Sequence, residues 1–66
     1  MQIAPEVVEL DALAHQAKVP ITRALARAGV SYSNYYRWRH NGQEPMAGSI
    51  RKVREAIEQI VAERAG

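Results

Sequence analysis

The chain has 66 residues, of which 47% are hydrophobic and 24% charged, and its formal net charge at pH 7 is +2. A chain of this length forms one small domain that buries only about 60% of its unfolded surface, which leaves little room for the enclosed substrate pocket of an enzyme. The sequence contains no cysteine, which excludes disulfide bonds and thiolate metal sites.

The first two predicted helices are separated by the dipeptide Val19-Pro20. Pro5 suits the first position of a helix, and apolar residues then recur at three- and four-residue spacing, which predicts an amphipathic helix over residues 5–17. The residue before a proline avoids the helical conformation, so we expect Pro20 to open a short second helix. Gly29 is expected to end it, because glycine tolerates the left-handed conformation found at helix C-termini.

Two further helices are predicted after this turn. Ser31 is a suitable N-cap for a third helix, which runs to about His40 and ends at Asn41-Gly42. A single apolar stripe predicts a fourth helix over about residues 47–64. The expected fold class is therefore all-α, a compact four-helix domain that takes up residues 1–66.

The second and third helices are connected by only three residues, Gly29–Ser31, and a helix, a short turn and a helix make up a helix-turn-helix motif. In that motif the third helix docks on the core through two apolar side chains about one turn apart. Tyr35 and Trp38 have this spacing. We expect Trp38 to be buried against Val30, Tyr35, Ile50 and Val53.

Over about residues 20–57, the sequence resembles the Xre/Cro-type family of phage-repressor helix-turn-helix domains. The residues that carry the resemblance are Ala28-Gly29-Val30-Ser31 through Trp38, then Gly42, Pro45, Ile50, Val53 and Ala56-Ile57. The resemblance implies a lambda repressor-like fold that binds double-stranded DNA with its third helix in the major groove. The chain departs from the family pattern at Ile21, where glutamine is frequent, and at Leu25, where a small residue is expected.

A second resemblance competes with the first. The segment Gly29-Val30-Ser31…Tyr36-Arg37-Trp38 is also similar to excisionase and MerR-type winged helix modules. Those modules place a β-wing after the third helix, whereas residues 48–61 have a strongly helical pattern. The helical pattern favours the Xre/Cro-type interpretation.

The charge is distributed unevenly along the chain. Residues 18–54 carry eight Lys and Arg side chains against one Glu, a net of +7, while residues 1–17 and 55–66 carry net charges of −3 and −2. A basic segment of this kind is typical of proteins that bind polyanions. The alternative is a solvated surface whose basic residues only maintain solubility.

The faces of the third helix can be assigned from a rotation of about 100° per residue. Arg37 is the best candidate for reading bases, because a guanidinium group pairs bidentately with the edge of guanine. The candidate base-reading residues are Tyr32, Ser33, Tyr36, Arg37 and His40. The candidates for contacts with the DNA backbone are Thr22, Arg23, Ser31, Asn34, Arg39, Asn41, Gln43 and Lys52. In the alternative, structural interpretation, the tyrosines pack on the domain and Arg39 lies over Trp38.

A homodimer is also expected, since one unit reads too few base pairs for useful specificity. The apolar stripe of the last helix continues beyond the part that the motif needs, which suggests an interface of Ile57, Ile60 and Val61, with Val8 or Leu13 as candidates for further contacts. The alternative is a last helix that packs only within its own chain.

We expect no enzymatic activity, cofactor, metal or small-molecule ligand, because the two histidines are 25 residues apart and no catalytic constellation is present. No membrane-spanning segment or signal peptide is visible, which favours the cytoplasm. The expected function is a sequence-specific transcriptional regulator that binds double-stranded DNA, a small repressor of phage or mobile-element type. The alternative is a helical protein-interaction or nucleoprotein-assembly module, such as an excisionase-like architectural factor.

Overall fold

A computed structural model of the chain describes residues 3–65, which form four α-helices: α1 (Pro5–Ala17), α2 (Ile21–Ala28), α3 (Tyr32–His40) and α4 (Ala47–Ala65). No strand occurs between residues 3 and 65, so the all-α class and the four predicted helices are confirmed. Residues 1, 2 and 66 of the predicted domain lie outside the described part. None of the four helices is both long enough and apolar enough to cross a membrane.

The end of α1 is held by a side chain from the end of α4. Lys18 terminates α1 in the left-handed conformation, at φ 57° and ψ 40°. The guanidinium group of Arg64 donates hydrogen bonds to the carbonyl oxygens of Ala17, at 2.8 Å, and Lys18, at 2.7 Å. Carbonyl groups at a helix C-terminus have no partner within the helix, so Arg64 satisfies them and joins the two helix ends.

The turn between α2 and α3 has the backbone geometry that its sequence predicts. Gly29 has a φ of +74°, and the N–H of Val30 donates to the carbonyl of Leu25 at 3.0 Å. The hydroxyl group of Ser31 accepts a hydrogen bond from the N–H of Asn34 at 3.2 Å. The predicted helix stop at Gly29 and the predicted N-cap at Ser31 are both confirmed.

Helix α4 is central to the fold and packs against both α1 and α2. Trp38 on α3 is only 3% exposed, which confirms its predicted burial. Tyr35, Ile50 and Val53 belong to the same buried cluster, and Val30 packs against it. The buried apolar residues are Val7, Leu10, Ala14, Val19, Ala24, Leu25, Tyr35, Trp38, Ile50, Val53, Ala56, Ile57 and Ile60.

Two of the residues predicted for the dimer interface are part of this core, and the prediction is wrong for them. Ile57 and Ile60 are each only 1% exposed, because the apolar stripe of α4 is covered by α1 and α2 almost to the end of the helix. Val61 is 40% exposed and Val8 is 51% exposed, whereas Leu13 is half-buried. Of the candidate interface residues, only Val61, Val8 and Leu13 present apolar surface to a partner.

Candidate nucleic-acid interface

Helix α3 is anchored by two aromatic side chains on its inner face. Tyr35 and Trp38 are both buried, and their rings meet edge to face with centroids 6.2 Å apart. Aromatic pairs favour this arrangement because the positive edge of one ring faces the negative face of the other. The predicted docking of α3 through these two residues is confirmed, and it determines which of its side chains face outward.

All five candidate base-reading residues are exposed on α3. Tyr32 and Tyr36 are 56% and 49% exposed, and the ring of Tyr32 lies beside that of the buried Tyr35, with centroids 5.9 Å apart. Tyr36 stacks on His40, with ring centroids 4.2 Å apart and an angle of 30° between the ring planes. Together, Tyr32, Ser33, Tyr36, Arg37 and His40 form one polar and aromatic surface, which we call the outer face of α3.

Arg37 is the arginine among the five residues of this outer face. Its Nη1 lies 3.4 Å from Oδ1 of Asn34, a long hydrogen bond between two exposed side chains. A guanidinium group has five N–H donors, so this contact leaves most of them available to a ligand.

The candidate backbone contacts occupy several separate places. Thr22 and Arg23 are exposed on the first turn of α2, and Asn41 and Gln43 are exposed in the loop after α3. The Ser31 hydroxyl caps α3, and Asn34 accepts from Arg37, so both side chains already have a partner within the domain. Lys52 is exposed on α4 and lines a shallow surface groove that is also lined by Arg27, Ala28, Glu55, Ala56 and Gln59.

Arg39 differs from the other candidates because its guanidinium group pairs with Asp11 of α1. Its Nη1 lies 2.5 Å from Oδ2 of Asp11, and the hydroxyl group of Tyr35 donates to Oδ1 of the same carboxylate at 2.6 Å. Burial, and then the hydrogen bond to Asp11, raises the pKa of Tyr35 above its ordinary value of 10. We call these three residues the Asp11 cluster.

The sequence does not predict the Asp11 cluster. Asp11 precedes Tyr35 by 24 residues and Arg39 by 28, so nothing local in the sequence pairs them. One feature of the sequence could have suggested a shared partner for Tyr35 and Arg39. They are one helical turn apart, which places both side chains on the same side of α3. A carboxylate on the edge of the buried face of α1 is a suitable partner for that side.

A second ion pair reduces the exposed positive charge on α2. Arg27 forms a bidentate pair with Glu63 of α4, in which both side chains are largely exposed. The hydrogen bond to Arg27 lowers the pKa of Glu63, and the nearby Arg23 acts in the same direction. Of the eight basic residues between 18 and 54, Arg27 and Arg39 are therefore neutralised by acidic residues of α1 and α4.

Within residues 3–65, no cluster of three or more His, Asp or Glu side chains is arranged to hold a metal ion. His40 stacks on Tyr36, and His15 is exposed on α1. No protein-family model, curated protein or solved structure matches the chain. The candidate site is therefore defined only by the residues of the outer face of α3 and by the exposed polar residues near it.

Proposed function

We propose that the protein is a sequence-specific regulator that binds double-stranded DNA, a small repressor of phage or mobile-element type. Its reading unit is a helix-turn-helix formed by α2, the turn Gly29–Ser31 and α3. The observation that carries the proposal is the outer face of α3, which is exposed along the helix while Tyr35 and Trp38 anchor the opposite side.

The dimensions and chemistry of α3 suit the major groove of B-DNA. An α-helix with its side chains is about 10–12 Å across, and the major groove is about 12 Å wide. On the outer face, Arg37 is a bidentate donor to guanine, while Ser33 and Tyr36 offer hydroxyl groups to base edges or phosphates. The tyrosine rings also present apolar surface to thymine methyl groups.

The distribution of charge along the chain also supports the proposal that α3 faces the DNA. Residues 18–54, which include α2 and α3, carry a net charge of +7, which the ion pairs of Arg27 and Arg39 reduce to +5. DNA phosphates attract such a surface without regard to sequence. In this proposal, exposed residues around α3 make the backbone contacts that set the register: Thr22, Arg23, Asn41, Gln43 and Lys52.

The proposal includes a homodimer, because two copies related by a two-fold axis read two half-sites. The apolar surface that remains for a second copy lies between α1 and α4. Leu13, Ala17 and Val61 line a shallow apolar groove there, with Ile57 at its floor. Val61 is thus retained from the predicted interface. Sedimentation of the free protein and of its DNA complex tests this part, and a monomer in both would contradict it.

Selection of bound duplexes from a random pool tests the central proposal. We expect a short enriched sequence, and a gel shift on that duplex that weakens as salt is raised. A variant with Arg37→Ala should lose preference at one base pair of each half-site of the enriched sequence, while Arg51→Ala removes an equal charge from α4 and serves as the control. Binding without any enriched sequence would favour the architectural alternative, and no binding to duplex at low salt would refute DNA recognition.

A further inference from the structure

Helix α3 is attached to the domain mainly through side chains. The helix backbones approach one another most extensively between α4 and α2 and between α4 and α1, whereas α3 contributes the long side chains of Tyr35 and Trp38 to the core. These two rings hold one side of the nine-residue helix against the core.

The Asp11 cluster adds a polar restraint on α3 to the packing of the two rings. Tyr35 and Arg39 are one turn apart on the side of α3 that faces α1, and both donate to the same carboxylate. The Asp11 side chain is 25% exposed and that of Arg39 is 37% exposed, so the pair is partly shielded from solvent. Hydrogen bonds that involve charged groups are stronger than neutral ones, particularly where water is partly excluded.

The rotation of α3 matters because base contacts tolerate little displacement. A side chain about 6 Å from the helix axis moves by about 2 Å when the helix rotates by about 20°, whereas recognition geometry must be held within about 0.5 Å. A small rotation would therefore move Arg37 away from a base edge without unfolding the domain.

We infer that Asp11 is a positioning residue for the outer face of α3: its carboxylate fixes the rotation of α3 and holds the guanidinium group of Arg39 against α1, away from DNA phosphates. This inference rests on the proposed DNA-binding function. It reverses the role predicted for Arg39 from the sequence, since a guanidinium group bound to an internal carboxylate releases no counterions from DNA.

The test compares Asp11→Asn, Arg39→Gln and the double variant with the parent, at a temperature where circular dichroism shows each to be folded. Asparagine keeps the shape of the aspartate and one oxygen acceptor for Tyr35, but loses the charge that holds Arg39. Glu9→Gln is the matched control, because it removes the same charge from the exposed side of the same helix. Binding is measured on the selected duplex and its single-base variants at several salt concentrations.

We expect Arg39→Gln to leave the salt dependence of binding unchanged while it weakens the preference among base variants. Asp11→Asn should weaken the preference and also steepen the logarithmic salt slope by about one unit, because the released Arg39 then reaches a phosphate. The double variant should lose that added unit. Glu9→Gln should behave as the parent in both measurements.

The inference is overturned if Arg39→Gln lowers the salt slope by about one unit, since Arg39 would then already contact DNA in the parent. It is equally overturned if Asp11→Asn changes neither the slope nor the base preference. If Asp11→Asn does not fold, the slope of Arg39→Gln decides the question alone. Failure of the parent to bind any duplex is a different result, which refutes the proposed function itself.

Discussion

Replacing Trp38 with alanine should remove most of the stability of the domain. Trp38 is 3% exposed and is the largest of the thirteen apolar side chains that are buried within residues 3–65. Truncation of a buried tryptophan to alanine costs about 3–5 kcal/mol, which includes both lost burial and the cavity that remains. A domain of this length has a total free energy of unfolding of about 3–10 kcal/mol.

The assay is urea unfolding followed by far-ultraviolet circular dichroism, which does not depend on the tryptophan itself. Trp38→Ala should be largely unfolded without denaturant or should unfold at a much lower urea concentration, while Trp38→Phe should lie between it and the parent. Tyr36→Ala is the matched control, because Tyr36 is an aromatic residue of the same helix that is 49% exposed. We expect it to change stability by less than about 1 kcal/mol. An unfolding midpoint for Trp38→Ala equal to that of the parent would refute the assignment of the inner face of α3.

Three further predictions concern the turn and the Asp11 cluster. Ser31→Ala should lower the free energy of unfolding by about 1 kcal/mol, because the N–H of Asn34 loses its hydrogen-bond acceptor. Thermal unfolding should show a lower midpoint, and an unchanged midpoint would mean that the cap contributes nothing. Gly29→Ala should lower the free energy of unfolding by about 1–2 kcal/mol in the same assay. The cause is the φ of +74° alone, since an added Cβ meets no atom within 4 Å. A neutral effect would contradict this backbone geometry. Burial and the hydrogen bond to Asp11 raise the pKa of Tyr35 above its ordinary value of 10. The contribution of Tyr35 to stability should therefore be complete below pH 10. It should decline above pH 10, because the tyrosine ionises there in the unfolded chain before it does so in the folded one. The stability advantage of the parent over Tyr35→Phe should therefore shrink above pH 10 in urea titrations, and a constant difference would contradict the account.

The positions of the helices could be predicted because their ends depend on local chemistry. Pro20 and Gly29 restrict the backbone wherever they occur, and the Ser31 cap acts on an N–H only three residues away. The inward side of α3 follows from the three-residue spacing of Tyr35 and Trp38. These features depend on residues close in sequence, which is why the sequence is sufficient to locate them.

The errors concern contacts between residues that are distant in sequence. The stripe that contains Ile57 and Ile60 shows that one face of α4 is covered, but a stripe has the same period whether its neighbour is the same chain or another copy. The structure shows that α1 and α2 cover it, and that Arg64 joins the last turn of α4 to the end of α1. Similarly, the sequence identified Arg39 as a cation near the candidate site but could not show that Asp11 is its partner.

The sequence departs at two positions of α2 from the pattern of the Xre/Cro-type family that it resembles. Ile21 stands where a glutamine is frequent, and it packs partly buried against the core instead of offering a polar group at the start of α2. Leu25 stands where a small residue is expected, and its side chain is buried, at 2% exposed; the small residue before it, Ala24, is also fully buried. The exposed polar side chains at the start of α2 are those of Thr22 and Arg23.

The most direct test of the account is the affinity of the parent, Arg37→Ala and Lys52→Ala for a panel of single-base variants of the selected duplex, measured at several salt concentrations. Arg37→Ala should lose about 1–3 kcal/mol on the preferred duplex and relax the preference at one base pair of each half-site. Lys52→Ala should weaken binding to every duplex by a similar factor and lower the salt slope by about one unit. If Arg37→Ala instead weakens all duplexes by one common factor, Arg37 contacts only the backbone and the outer face of α3 does not read bases.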